Sequence, residues 1–176
     1  MTRILLIGFM AAGKTTLGKA LARDLGLQFV DLDHYIENRF HSTVSQLFAE
    51  RGEEGFRQIE RAMLHEVAEF EDIIIATGGG TPCFFDNMEY MNAQGTTVFL
   101  EAAVEVIHTR LTIARVQRPL VVGKSEEELR RYITDMLERR APYYRQAAHT
   151  FCADRLENTC QVEESVKLFK QQILQA

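Results

Sequence analysis

Apolar residues in this chain gather in short unbroken runs, and between the runs they recur every three or four positions. Ile4 to Ile7 is the first run, and Phe29 to Leu32 is the second. Ile73 to Thr77 is almost wholly apolar, Val98 to Leu100 forms a fourth run and Thr150 to Cys152 a weak fifth. Short apolar runs rich in β-branched residues predict strands covered on both faces, as in a parallel sheet. The intervening stretches predict helices. Leu17, Ala20, Leu21 and Leu25 share one helical face, with Gly26 as a stop. Phe56, Ile59, Met63, Val67 and Phe70 form a second stripe, Val104, Ile107 and Leu111 a third, and Val162, Val166, Phe169 and Ile173 a last one. Ser125 with Glu128 makes a capping-box pair before a polar helix running toward Arg139; Thr43 with Gln46 does the same for a short helix ending at Gly52.

Strands alternating with helices imply right-handed crossovers and a three-layer α/β domain. Ligands in such domains bind at the carboxyl ends of the strands, so chemistry should be sought just after each run.

Composition changes this picture little. The chain has 176 residues and a formal net charge of −5, which argues against a general nucleic-acid binder. From Arg110 to Gln146 there are nine Lys or Arg against five Asp or Glu, a basic segment that suits a small polyanion or, for most of its residues, a solvated helix. Cys83, Cys152 and Cys160 have no metal-site or disulfide spacing, so reduced thiols in a cytoplasmic protein are expected. His34, His41, His65, His108 and His149 show no metal spacing either. No stretch is long and apolar enough for a signal peptide or membrane span, so no membrane partner is expected.

The first strand runs into Gly8-Phe9-Met10-Ala11-Ala12-Gly13-Lys14-Thr15, a full match to the P-loop pattern G-x-x-x-x-G-K-S/T in the required strand-to-helix context. The loop N–H groups and the helix N-terminus form an anion cradle. Ala11, Ala12, Gly13, Lys14, Thr15 and Thr16 are its candidate ATP contacts. Lys14 can reach the outer phosphates, and the Thr15 hydroxyl can ligate Mg²⁺.

The second run closes on Asp31-Leu32-Asp33. In an extended chain alternate residues share a side, so both carboxylates can face one cleft, one organising Mg²⁺ through water and one accepting from a substrate hydroxyl. Equally, they are exposed carboxylates capping the next helix. The third run closes on Thr77-Gly78-Gly79-Gly80, glycines that make sense where a backbone meets a ligand without side chains in the way. Glu60 lies one helical turn from Arg57 and could hold it. Arg115 to Lys124 lacks a helical stripe and reads as a loop able to close over nucleotide.

The order of these motifs resembles the shikimate kinase family. The resemblance rests on Gly8 to Thr15, Asp31 to Asp33, Gly52-Glu53-Glu54-Gly55-Phe56-Arg57, Thr77 to Gly80, Arg118-Pro119-Leu120 and Arg140-Ala141-Pro142-Tyr143-Tyr144, and spans residues 1 to about 155. It implies a P-loop fold of α/β/α layers with a five-stranded parallel sheet in the order 2-3-1-4-5. It also implies one kinase domain over 1–176, with a substrate-binding segment at about 33–60 and a mobile lid at about 112–124. By the same resemblance Asp33 holds the shikimate hydroxyls and receives the attacking proton, and Asp31 places Mg²⁺ through water. Arg57 and Arg140 grip the substrate carboxylate, Gly79 and Gly80 line the acceptor, Arg118 meets the transferring phosphate and Arg110 covers adenine.

The activity expected is transfer of the ATP γ-phosphoryl group to the 3-hydroxyl of shikimate, in aromatic amino acid biosynthesis, by a monomer. A kinase for gluconate or a nucleoside monophosphate, and a non-catalytic nucleotide-binding module, are the alternatives. One departure is Ala11, where the family usually has glycine. An ordinary backbone is expected there, because a positive φ would cost an alanine about 1 kcal/mol or more. No adenine contact is assigned after Thr150.

Overall fold

The computed structural model describes residues 2–113 and 123–175. Strands β1 (Arg3–Ile7), β2 (Gln28–Asp31), β3 (Ile73–Ala76), β4 (Thr96–Glu101) and β5 (His149–Cys152) pair in parallel in the order β2-β3-β1-β4-β5. Ile4 faces Ile74 on one side and Thr96 on the other, so β1 is central. Every residue of β3 is buried, as is β1 from Ile4 onward, which is why these strands read as continuous apolar runs.

The helices are α1 (Lys14–Leu25), α2 (Leu32–Phe40), α3 (Val44–Ala68), α4 (Asn87–Gln94), α5 (Val104–Ile113), α6 (Glu126–Tyr144) and α7 (Thr159–Phe169). Gly26 closes α1 at φ 68°, and both capping boxes form, at Thr43/Gln46 and at Ser125/Glu128. The short helix from Thr43 does stop at Gly52, whose φ of 67° and ψ of 178° kink α3 into two segments. The last helix ends at Phe169 and continues as a π-helical turn, Lys170–Leu174.

The sequence pattern did not place α2, α4 or the 3₁₀ turn Thr81–Cys83. Helix α2 starts one residue after β2, so Asp31 is both the strand's last residue and the N-cap of α2. The expected extended geometry of Asp31-Leu32-Asp33 is therefore corrected. Leu32 turns into the core, wholly buried, as the first residue of the helix, and Asp33 sits in its first turn. Among the described residues, no helix is long and apolar enough to cross a membrane.

Candidate active site

The loop between β1 and α1 sits at the carboxyl end of the central strand. Gly8 takes φ 143° and Gly13 φ 102°, and a Cβ would lie 2.7 Å from the Leu100 carbonyl oxygen at Gly8 and overlap Leu156 at Gly13. Both glycines are thus required by conformation and by space. Lys14 is buried and donates to the carbonyls of Gly8 (2.9 Å) and Phe9 (2.8 Å), which keeps its ammonium inside the loop. Thr16 is exposed on the first turn of α1. Ala11 has φ 60°, contrary to the ordinary backbone expected of it. The loop's turn is imposed by its neighbours, and the alanine occupies the left-handed region at a cost of about 1 kcal/mol or more.

The Thr15 hydroxyl donates to Asp31 Oδ2 at 2.8 Å. Asp31 Oδ1 accepts from the His34 N–H at 3.4 Å, the long end of a cap bond. Asp31 thus caps the next helix, one of the readings left open by its spacing, and also bonds the Thr15 hydroxyl. Two hard oxygen donors side by side next to a phosphate cradle fit Mg²⁺, which takes few protein ligands and keeps several waters.

Asp33, Arg57 and Arg140 come together around Gly78-Gly79-Gly80. A Cβ on Gly78 would lie 2.9 Å from Asp33 Oδ1, one on Gly79 3.0 Å from Arg140 Nη1, and one on Gly80 2.6 Å from Arg57 Nη2. None of the three has positive φ, so space and not conformation demands glycine here. The glycine run is the floor on which the three polar side chains meet.

Arg57 is held from several sides. Its Nη1 donates to Glu60 Oε2 at 2.7 Å, and its guanidinium lies 4.1 Å from the centroid of Phe84, with Phe48 and Phe56 also flanking it. Glu60 is 1 % exposed, so the pair is an internal one and not a surface salt bridge. Its other oxygen accepts from the Thr81 hydroxyl at 2.6 Å, and Asn87 Nδ2 donates to the Thr81 carbonyl at 2.8 Å. Arg140 lies 5.5 Å from the Phe9 ring centroid, and among the described residues it has no carboxylate within ion-pair distance. One guanidinium tied to a carboxylate and one without leave Arg140 as the cation with donors to spare for a small anion.

Asp33 is affected differently. Burial first, then the Asp31 and Glu60 carboxylates, push its carboxyl up to about 6, while the Lys14 ammonium draws it back. A carboxylate held near neutrality can accept a proton from a bound hydroxyl.

Three contributors were given no role from the sequence: Tyr144, Thr81 and the loop after β5. Tyr144 is wholly buried, and its hydroxyl donates to the Gly79 carbonyl at 2.6 Å. Burial pushes its phenol up to about 12, so it stays a donor. Arg110 reaches the P-loop from α5, with Nη1 at 3.3 Å from both the Ala11 and the Ala12 carbonyls. Its other donors bind Ala153 and Glu157, so residues after Thr150 do lie against the nucleotide loop. Of the basic segment, Arg130 and Arg131 pair with glutamates at the surface, as a solvated helix would. Arg118 and the centre of the expected lid lie outside the described residues.

A P-loop on a five-stranded parallel sheet, beside a carboxylate and two arginines that meet over one glycine run, defines an ATP-dependent small-molecule kinase. The profile of the family described as Shikimate kinase matches residues 10–173. A Bacteroides fragilis shikimate kinase is 60 % identical over 95 % of this chain and 93 % of its own length. One from Phocaeicola vulgatus is 59 % identical over 98 % and 99 %. The crystal structure of shikimate kinase from Bacteroides thetaiotaomicron superposes with a TM-score of 0.96 at 56 % identity, covering 99 % of each chain. That of the Acinetobacter baumannii enzyme in complex with shikimate superposes with a TM-score of 0.82 at 32 % identity, covering 99 % of this chain and 94 % of the other. This chain belongs to the shikimate kinase family.

Proposed function

We propose that the chain transfers the γ-phosphoryl group of ATP to the 3-hydroxyl of shikimate, giving shikimate 3-phosphate and ADP in aromatic amino acid biosynthesis. The observation that carries this reading is the meeting of Asp33, Arg57 and Arg140 over one glycine floor, next to the P-loop. The acceptor needs a carboxylate for the arginines and a hydroxyl for Asp33, and shikimate has both. Gluconate shares those groups but not the rigid ring that sets their separation, and a nucleoside monophosphate has no carboxylate.

In this mechanism Arg57 and Arg140 clamp the carboxylate and so orient the ring. Gly79 and Gly80 let the ring approach the backbone. Asp33 accepts the proton of the attacking hydroxyl as the oxygen closes on phosphorus. Lys14 exchanges its bonds to Gly8 and Phe9 for the outer phosphate oxygens, joined by the loop N–H groups and by Arg118. Mg²⁺, held by Thr15 and through water by Asp31, supplies positive charge against the phosphate oxygens when bound. Arg110 offers a face to adenine, residues 33–60 carry the acceptor and 112–124 form the lid. All of these residues belong to one chain, which supports a monomer, and three free thiols support a cytoplasmic setting.

ATP consumption measured with shikimate, beside gluconate and nucleoside monophosphates, tests the reading. Stimulation by shikimate alone is expected. Stimulation by another acceptor and not by shikimate would overturn the acceptor and leave the P-loop assignment standing.

A further inference from the structure

We propose that Glu157 is a positioning residue for the nucleotide loop, acting through Arg110 on the backbone of Ala11 and Ala12. The inference rests on reading Gly8 to Thr15 as the phosphate cradle, and it extends that reading to a residue beyond β5.

The P-loop here holds an alanine at φ 60°, a conformation that its side chain opposes. Such a conformation persists only where neighbours over-determine it. The neighbour in question is Arg110, half-buried on α5, whose Nη1 bonds both the Ala11 and the Ala12 carbonyls. At 3.3 Å these bonds are long, so their effect depends on how firmly the guanidinium is held.

It is held by the loop after β5. Glu157 Oε1 accepts from Arg110 Nε at 3.0 Å and from Nη2 at 2.6 Å, and the Ala153 carbonyl accepts from Nη2 at 2.9 Å. Glu157 is fixed in turn, because its Oε2 accepts from the Leu156 N–H at 2.9 Å and its own N–H donates to Gln161 Oε1 at 2.9 Å. With the edge of the guanidinium occupied on all sides, Arg110 cannot turn without breaking the set.

The consequence reaches the phosphates through peptide planarity. In a trans peptide the carbonyl and the next N–H point in opposite directions. Drawing the Ala12 carbonyl toward Arg110 therefore aims the Gly13 N–H the other way. Drawing the Ala11 carbonyl fixes the Ala12 N–H, which donates to the Phe9 carbonyl at 3.2 Å. That same Phe9 carbonyl receives Lys14. Glu157 thus sets the orientation of the loop donors through one intervening side chain, and the need for it arises from Ala11. A glycine at position 11 would take the same conformation unaided.

The test is calorimetric binding of Mg·ADP to the full chain, with melting temperatures recorded alongside. Four proteins are compared: wild type, Glu157→Ala, Ala11→Gly and the double variant. Glu157→Ala should weaken ADP binding about fivefold in the alanine background and less than about twofold in the glycine background. Glu157→Gln, which keeps an oxygen toward Arg110, should recover most of the loss. Equal weakening in both backgrounds overturns the inference, as does a lowered melting temperature with unchanged ADP affinity. A wild type that does not bind ADP overturns the cradle reading and this inference with it. Normal wild-type binding with unaffected variants overturns this inference alone.

Discussion

Burying a carboxylate costs free energy, and this site buries two for different ends. Glu60 is offset by the Arg57 guanidinium and the Thr81 hydroxyl, each within 2.7 Å. Among the described residues Asp33 has no ion pair or hydrogen bond of that kind, only the weaker pull of the Lys14 ammonium, and is left poised at about 6, above the 3.8 of a free Asp. The native protein therefore binds the Asp33 proton more tightly than the unfolded chain does. The ionised group weighs against the fold increasingly as pH rises from about 4 through about 6. In the metal-free, nucleotide-free protein, Asp33→Asn should be more stable than wild type at pH 8, by an amount on the order of 2 kcal/mol. That gap should close as pH falls through 6 and vanish near 4. Urea unfolding across this range measures it, and a gap independent of pH would exclude burial of the charge as its cause. Glu60 behaves oppositely. Glu60→Ala leaves Arg57 only the exposed Glu53 carboxylate at 3.7 Å, should cost about 3 kcal/mol, and should raise the Michaelis constant for shikimate because the guanidinium loses its buried anchor. Unchanged stability and kinetics would mean that the Phe48, Phe56 and Phe84 rings, with Glu53, hold Arg57 without Glu60.

At the scale of elements, glycines in this chain serve two separate needs, and substitution should separate them. Gly26 ends α1 at φ 68° with nothing near its missing Cβ. Gly26→Ala should cost about 1 kcal/mol of stability and leave both Michaelis constants alone. Gly80 has an ordinary helical backbone but no room. A Cβ there lies 2.6 Å from Arg57 Nη2, and Arg57 is wedged among three aromatic rings, so it can yield only by leaving its place. Gly80→Ala should raise the shikimate Michaelis constant about tenfold, with that for ATP little changed; a shift in both would point to general loosening of the β3 end. The same contrast explains what could be read from the sequence. Strands β1, β3 and β4 were legible because burial on both faces leaves an unbroken apolar run, and the half-exposed edge strands β2 and β5 left shorter ones. The motif residues were legible because their spacing is tied to strand ends. Helix α2 was not, because Leu32 is apolar whether it ends a strand or begins a helix, and only the cap at Asp31 decides. The backbone at Ala11 was illegible for the reverse reason, since its residue type argues against the conformation it holds. Tyr144 stood in a recognised motif without a role, because its partner, a carbonyl 65 residues earlier, leaves no mark in the local pattern.

At the scale of the molecule, donor and acceptor sites are joined by helix α6, which starts just after the expected lid and ends against the glycine floor. Arg140 and Tyr144 are four residues apart on it and so share a face. Tyr144 fastens that face to the sheet, with its ring tilted against Phe99 at 5.0 Å between centroids and its hydroxyl on the Gly79 carbonyl. The position of Arg140 over Gly79 therefore depends on the Tyr144 hydroxyl, which bonds the Gly79 carbonyl and meets the Arg140 guanidinium as well. Tyr144→Phe keeps the packing and leaves a buried carbonyl short of a donor, which should cost about 1–2 kcal/mol. It should also raise the shikimate Michaelis constant severalfold while leaving that for ATP unchanged. Ser125→Ala at the other end of α6 supplies the control. It removes the capping box, should cost a similar amount, about 1 kcal/mol, and touches nothing at the glycine floor. Denaturant unfolding of both variants fixes the two costs, and steady-state kinetics then separates anchoring from stability. If the two variants weakened shikimate binding alike, the effect would belong to loosening of the whole helix. If only Tyr144→Phe does so, a single hydroxyl transmits the register of the sheet to the arginine that selects the acceptor.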